Sequence, residues 1–296
     1  MRLYALAVFG FLYLPIAIIA LFSFNAGRHA SQFAGFSTQW YGKALANPFV
    51  MEALWTSVSV AFASALIASV FGTMAALALQ GMRGRIRAIA DALIYIAVMV
   101  PGIVIGIATL IALVTLFGWI NPVLARLAPE GAAPQLGMGH GTLIAAHALF
   151  SMALVILILR ARLEGMDRAL IEASADLYAP PLATFRQVTL PMIFPGILAG
   201  FLLSFTFSFD DFIIAFFVAG SETTLPIYVF SSIRRGVTPE INAIGTMVLG
   251  ASLVLLIAAQ LILRRGRRAA GMEGGCGGGR ARGPRARSVA APAALG

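Results

Sequence analysis

The sequence predicts an all-α polytopic membrane protein with six transmembrane helices and both termini on the cytoplasmic side. Three observations carry this expectation. Long apolar runs recur along the chain. Charged residues make up only 11% of the 296 positions and hydrophobic ones 60%, against about 25% charged in an average soluble domain, and mean hydropathy is +0.91. Basic residues gather in alternate loops, as cytoplasmic loops do. A transmembrane domain is expected over 1–268, followed by a tail over 269–296.

The apolar runs cover about 3–24, 53–80, 92–119, 141–160, 192–219 and 241–263, and a bilayer core needs about 20 such residues in a helix. The first run follows Arg2 and contains Pro15. It is too long for the apolar part of a signal peptide and has no clear cleavage site, so it reads as a retained span. The second run leads into a short loop holding Arg83, Arg85 and Arg87. The third contains Pro101-Gly102 and the fifth Pro195-Gly196, read as kink or packing sites. Asn242, near the start of the sixth, reads as interhelical hydrogen-bond glue.

Arg160, Arg162, Arg168 and Arg186 fall in the fourth loop, and Arg264, Arg265, Arg267 and Arg268 follow the last run. The other three loops hold Arg28, Lys43, Arg126, Arg234 and Arg235. Leaving out the far tail, twelve basic residues lie on one side and five on the other, which puts both termini in the cytoplasm. This distribution accounts for the net charge of +9 without a nucleic-acid partner. The tail is Gly/Ala/Arg-rich, lacks a periodic apolar face and is expected to be disordered. Cys276 is the single cysteine, which excludes an intramolecular disulfide framework. His29 and His140 have no metal-ligand spacing with His147.

The fourth loop, 163–191, reads "LEGMDRALIEASADLYAPPLATFRQVTLP". Met166, Leu170, Ala173 and Leu177 recur at helical spacing and form an apolar stripe. Arg168, Glu172 and Asp176 recur every four residues on another face, where ion pairing can support the helix. Pro180 and Pro181 stop it, and Thr184 is placed to cap a second short helix ending near Pro191. The expectation is a helix–turn–helix at the cytoplasmic membrane surface. Its stripe is buried either against the chain's own bundle or against another protein.

Glu172-Ala173-Ser174, then Tyr178, then Val188-Thr189-Leu190-Pro191 resembles the EAA loop of bacterial ABC-importer permeases. That pattern runs E-A-A, three residues, Gly, nine residues, I-x-L-P. Ser174, Tyr178 and Val188 depart from it, Tyr178 standing where the pattern has the glycine of a tight turn. The stretches 99–110 and 190–246 resemble the polyamine (spermidine/putrescine) branch, and the resemblance runs to about residue 264. It implies a type I ABC-importer permease fold in the bacterial inner membrane. Glu172, Ala173, Ser174, Tyr178, Val188, Leu190 and Pro191 would then contact a cytoplasmic ATPase. The implied partners are two copies of that ATPase, a second homologous permease and a periplasmic substrate-binding protein. No catalytic residue, metal or cofactor is implied in this chain. Lys43, the only lysine, sits in "WYGKALA" without the glycine and Ser/Thr of a phosphate-binding loop, so ATP and magnesium would be used by the partner.

Asp210 and Asp211 interrupt the fifth run, and ionisable residues inside a span are a functional signal. Counted from Pro195, Asp210 lies roughly 22 Å along a helix, in the outer half of the bilayer. On a continuous helix Asp211 shares a stripe with Ser204 and Ser208, while Asp210 falls with Thr206 about 100° away. Asp211 is therefore the expected lining of a substrate pathway with Ser204 and Ser208, and Asp210 the expected partner of another subunit or an arginine. If the solute is a polyamine, as the resemblance implies, the carboxylates attract its ammonium groups, and Phe207, Phe209 and Phe212 add cation–π contact. The alternative for both aspartates is structural: a kinked helix, or a bond to a neighbouring one. Two other functions stay open, an ion-coupled secondary transporter using Asp210, Asp211 and His147, and a membrane scaffold. The former usually shows charges in several spans and internal repeats.

Overall fold

A computed structural model describes residues 2–28, 32–127, 135–167, 169–254 and 257. The tail, the end of the sixth apolar run, His29 and Arg168 lie outside the described residues. The chain divides into two units, Met1–Leu253 and Val254–Gly296, and the helical bundle is formed by the first.

Among the described residues every named element is a helix. The helices are α1 (Arg2–Ser23), α2 (Gln39–Ala46), α3 (Pro48–Gly81), α4 (Gly84–Met99), α5 (Gly102–Leu127), α6 (His140–Glu164), α7 (Ala169–Asp176), α8 (Pro181–Thr184), α9 (Leu190–Asp210), α10 (Ile213–Val218) and α11 (Leu225–Arg235). A twelfth, α12, spans Pro239–Val254. Five stretches are long and apolar enough to cross a membrane: Leu3–Ser23, Pro48–Gly81, Gly102–Leu127, His140–Glu164 and Pro181–Asp210. The described part of α12 is shorter than a full span, and its expected continuation to 263 lies among the residues not described.

The centre of the fold is α3, α6 and α9. Lipid offers no hydrophobic drive for helices to associate, so close approach through small residues takes its place. The buried face of α3 is accordingly Ala53, Ser57, Val60, Ala61, Ser64, Ala65, Ala68, Gly72, Thr73 and Ala76. Gly72 meets α6 so closely that an added Cβ would lie 2.8 Å from Val155 Cγ1. From the other side, Gly196 and Gly200 bring α9 against Leu159 and Val155, where an added Cβ would have 3.2 and 3.3 Å. The packing role expected of Gly196 is therefore visible. Around this seam Ala68, Leu79, Val155, Ile156, Leu159, Leu163 and Ile193 form a buried cluster. The opposite extreme is α1, whose apolar side chains, Leu3, Phe11 and Tyr13 among them, are exposed. A helix apolar on all sides suits a lipid environment.

Several expected boundaries need correction. The run 92–119 is not one helix. Val100 takes extended angles (φ −68°, ψ 132°) because the residue before a proline avoids the α region, so α4 ends at Met99 and α5 begins at Gly102. The run 192–219 also breaks, at Asp211. The second span begins earlier than expected, at Pro48, because the Asn47 side chain accepts from the Phe49 N–H at 3.1 Å and caps the helix. At 34 residues it is about 51 Å long, well beyond a bilayer core, which tilt accommodates.

Thr184 is not a cap. It lies inside a helical stretch (φ −55°, ψ −46°) that opens at Pro181 and runs on into α9. The join is a π-helical turn, Phe185–Thr189, in which the Leu190 N–H donates to the Phe185 carbonyl. Pro191 has no N–H, and its ring clashes with the carbonyl four residues back. The wider turn just before it relieves that clash and keeps the helix continuous.

Candidate functional site

Two regions stand apart from ordinary packing: the surface loop around α7 and the elbow between α9 and α10.

None of α7 is buried. Leu170 and Leu182 are exposed, Leu177 is 81% exposed and Tyr178 96%. Of the expected apolar stripe only Met166 turns inward, onto the core of α3 and α6. The helix ends in a Schellman turn: the Ala179 N–H donates to the Ser174 carbonyl at 3.1 Å and the Tyr178 N–H to the Ala175 carbonyl at 2.9 Å. That motif needs a left-handed residue after the helix, normally glycine. Tyr178 takes the conformation itself, with φ 59°, at a cost of about 1–2 kcal/mol for a residue with a Cβ. The turn therefore keeps the shape the glycine would give and adds an exposed aromatic ring. Across it, Ser174 Oγ and Thr184 Oγ1 hydrogen-bond at 2.7 Å, tying α7 to α8. Glu172, Ala173 and Pro191 are exposed, whereas Ser174, Val188 and Leu190 are half-buried.

The elbow departs from the helical-wheel expectation. The wheel assumed a helix running through both aspartates, but α9 ends at Asp210, and Asp211 is extended (φ −72°, ψ 119°). Asp211 Oδ2 accepts from the N–H groups of Ile214 at 2.9 Å and Ala215 at 3.1 Å. The carboxylate thus serves the unpaired donors that start α10. The same oxygen stands 3.5 Å from His147 Nε2 on α6. His147 is 2% exposed, and its Nδ1 lies 2.7 Å from Ser208 Oγ. Ser64 Oγ on α3 donates to Ser208 Oγ at 3.0 Å. Three helices and the break after α9 meet at one polar cluster: Ser64 on α3, Ser208 on α9, His147 on α6 and Asp211 at the break.

The expected pathway set is therefore divided. Asp210, Asp211, Thr206 and Phe207 line a cleft of about 340 Å³. Ser204 and Ser208 are buried inside the bundle and do not line it. Asp210 is the exposed carboxylate, and Asp211 is held from within. Phe212 packs on Phe230 at 4.5 Å, Phe209 on Phe205 at 6.1 Å and Phe207 on Phe150 at 6.5 Å; of these three Phe207 is the one that lines the cleft. Sequence reasoning missed Ser64; the seven-residue spacing of Ser57 and Ser64, which puts both on one face of a span, was the available signal. It also missed α11, which separates Arg234 and Arg235 from a plain loop. Arg235, with Glu52, Glu222 and Tyr228, lines a second cleft of about 570 Å³. Among the described residues no cluster of three or more His, Cys, Asp or Glu side chains is placed to hold a metal.

Residues 68–268 match the family model described as the binding-protein-dependent transport system inner membrane component. The chain is 39% identical over 263 residues to the putrescine transport system permease protein PotI of Escherichia coli (strain K12), covering 86% of this chain and 88% of that one. It is 34% identical over 259 residues to the spermidine/putrescine transport system permease protein PotC of Haemophilus influenzae, covering 87% and 94%. In fold it is similar to a chain of a bacterial ABC transporter involved in the import of the acidic polysaccharide alginate, with a TM-score of 0.67, 15% identity and coverage of 89% and 95%. With its small-residue helical seam and its exposed α7 turn, this chain belongs to the family of binding-protein-dependent transport system inner membrane components and has the all-helical fold of an ABC-importer permease.

Proposed function

We propose that this permease carries a small polycationic solute, putrescine or spermidine, across the bacterial inner membrane, with both termini in the cytoplasm. A periplasmic binding protein delivers the solute. The pathway forms between this chain and a second homologous permease. Two copies of a cytoplasmic ATPase use ATP and magnesium and drive the cycle through α7 and the Tyr178 turn. The names of the similar permeases support the solute class, and the chemistry at the elbow is compatible with it. Asp210 offers an exposed carboxylate to an ammonium group, and Phe207 offers an aromatic face to the charge or to the methylene chain.

The observation that carries the reading is that α7 buries nothing while Leu170, Leu177 and Tyr178 face outward beside a turn fixed by hydrogen bonds. Covering one leucine side chain is worth about 1.5–3 kcal/mol, so this surface gains by docking. Because Pro181–Asp210 runs as one apolar helical stretch, a displacement at the turn is passed along it to the elbow, a rigid-body route of a known kind.

The test is isolation of the assembled complex carrying Glu172→Ala or Leu177→Asp, with uptake of labelled putrescine and spermidine in the same cells. The expected result is release of the ATPase and loss of uptake. An ATPase that stays bound with uptake unchanged overturns the assignment of α7. Uptake that persists after the ATPase is deleted favours ion coupling through Asp210 and Asp211 instead.

A further inference from the structure

The two helix breaks of the membrane domain lie side by side. A Cβ added to Gly102, just after the Pro101 break, would come within 4.0 Å of Ile213 Cγ2, just after the Asp211 break. Beyond this point α10 packs on α5: an added Cβ on Gly106 would meet Phe217 Cδ2 at 2.7 Å and the Ile214 Cα at 3.4 Å. Before it, α9 packs on α3 and α6 through Ser204, Ser208, Gly196 and Gly200. α10 also packs on α3 and α6, with Ile214, Ala215 and Val218 buried in one cluster with Val60, Leu143 and Ala146 and the Val218 carbonyl accepting from Thr142 Oγ1 at 2.8 Å, so the elbow is a chain break between two segments that are each packed in the bundle.

The side chain at this break is Asp211, and His147 on α6 stands beside it. Ser64 donates to Ser208, so the Ser208 hydroxyl proton is free to point at His147 Nδ1, 2.7 Å away. A neutral imidazole accepting at Nδ1 carries its proton on Nε2. That nitrogen faces Asp211 Oδ2. The polar groups are then ordered in one direction, from Ser64 on α3 through Ser208 and His147 to the carboxylate that caps α10, the last contact, Nε2 to Oδ2 at 3.5 Å, being electrostatic and longer than a hydrogen bond.

From this we infer that His147 is a positioning residue for transport: its Nε2–H dipole holds the Asp211 carboxylate at the end of α9, and thereby keeps the adjacent Asp210 carboxylate directed into the cleft. His147 does not touch solute. At 2% exposure it is inside the bundle, and it does not line the cleft. The inference rests on the reading of the Asp210 cleft as part of the solute route. A carboxylate that is misaimed by an ångström weakens recognition without removing charge, so the loss falls on apparent affinity.

The experiment uses the complete transporter in cells, with uptake of labelled putrescine measured against concentration and normalised to permease in the membrane. Two variants separate positioning from folding. Glutamine keeps a donor and an acceptor at the His147 site, and leucine keeps only the volume. We expect His147→Leu to raise KM about tenfold with its normalised maximal rate within about threefold of the parent, and His147→Gln to retain most of the parental KM. Combining His147→Leu with Asp211→Asn should add little to the worse single variant, because both act through one contact. If leucine destroys insertion, Ser208→Ala reports on the same chain and should shift KM in the same direction. Parental KM in both His147→Leu and Ser208→Ala overturns the inference, as does an equal loss of maximal rate in the leucine and glutamine variants at constant KM. Asp210→Asn in parallel keeps the two readings apart. An unaffected Asp210→Asn overturns the cleft assignment, while a defective one with normal His147→Leu overturns only the positioning role.

Discussion

Ser174 Oγ and Thr184 Oγ1 lie 2.7 Å apart, joining the two arms of the surface loop across the turn that Tyr178 closes. Ser174 stands where the motif usually has alanine, and its hydroxyl gives the loop a clasp that alanine lacks. Ser174→Ala should remove one net hydrogen bond, about 0.5–1.5 kcal/mol. Hydrogen exchange of the amides between 174 and 184 should quicken by up to about tenfold, while the ATPase remains bound.

Tyr178 should respond to substitution in two separable ways. Tyr178→Gly relieves the left-handed strain and should steady the turn by about 1 kcal/mol. Tyr178→Ala keeps most of the strain and loses the ring; Tyr178→Val adds a β-branch that tolerates φ above zero poorly. Thermal unfolding of the purified complex should rank glycine first, then tyrosine and alanine, then valine. If the ring itself contributes to docking, glycine and alanine should weaken ATPase binding together despite their different stabilities.

Gly72 should be intolerant of even a methyl group. Its Cβ would meet Val155 Cγ1 at 2.8 Å and the Met152 carbonyl at 3.3 Å, neither at the end of a long flexible chain. Overpacking of this kind costs about 1–3 kcal/mol, so Gly72→Ala should lower the melting temperature. Val155→Ala in the same chain should return part of the loss. Gly118→Ala, where nothing lies within 4 Å, should have little effect, and melting of all three in detergent checks the set.

The neighbouring aspartates should behave as different kinds of residue. Asp211→Ala removes the acceptor for two N–H groups at the start of α10, a capping loss of about 0.5–2 kcal/mol. Asp210→Asn touches an exposed side chain and should leave stability within about 0.5 kcal/mol while uptake falls. Melting curves and uptake on the same preparations distinguish them.

Much of the fold was legible in the sequence because lipid imposes simple rules. Length and hydropathy located the long helices, and the spacing from Glu172 to Pro191 located the surface loop. The elbow was not legible in the same way. The wheel placed Ser204, Ser208 and Asp211 together by assuming an unbroken helix, whereas an aspartate ahead of "FIIAFFV" is also a helix-start signal. Asp211 does come near Ser208, but by way of His147 and not along one helix face. The join at Phe185–Thr189 was hidden for a related reason. Prolines usually end helices, and only the wider π turn lets this one continue past Pro191.

That continuity has a thermodynamic corollary. If the nucleotide state at one end of the Pro181–Asp210 rod alters how tightly cargo is held at the other, cargo must alter nucleotide affinity by the same factor. Loading would then be sensed by the engine below as a change in how tightly it holds nucleotide, and the ratio of nucleotide affinities in the loaded and empty carrier would measure how stiffly the rod transmits.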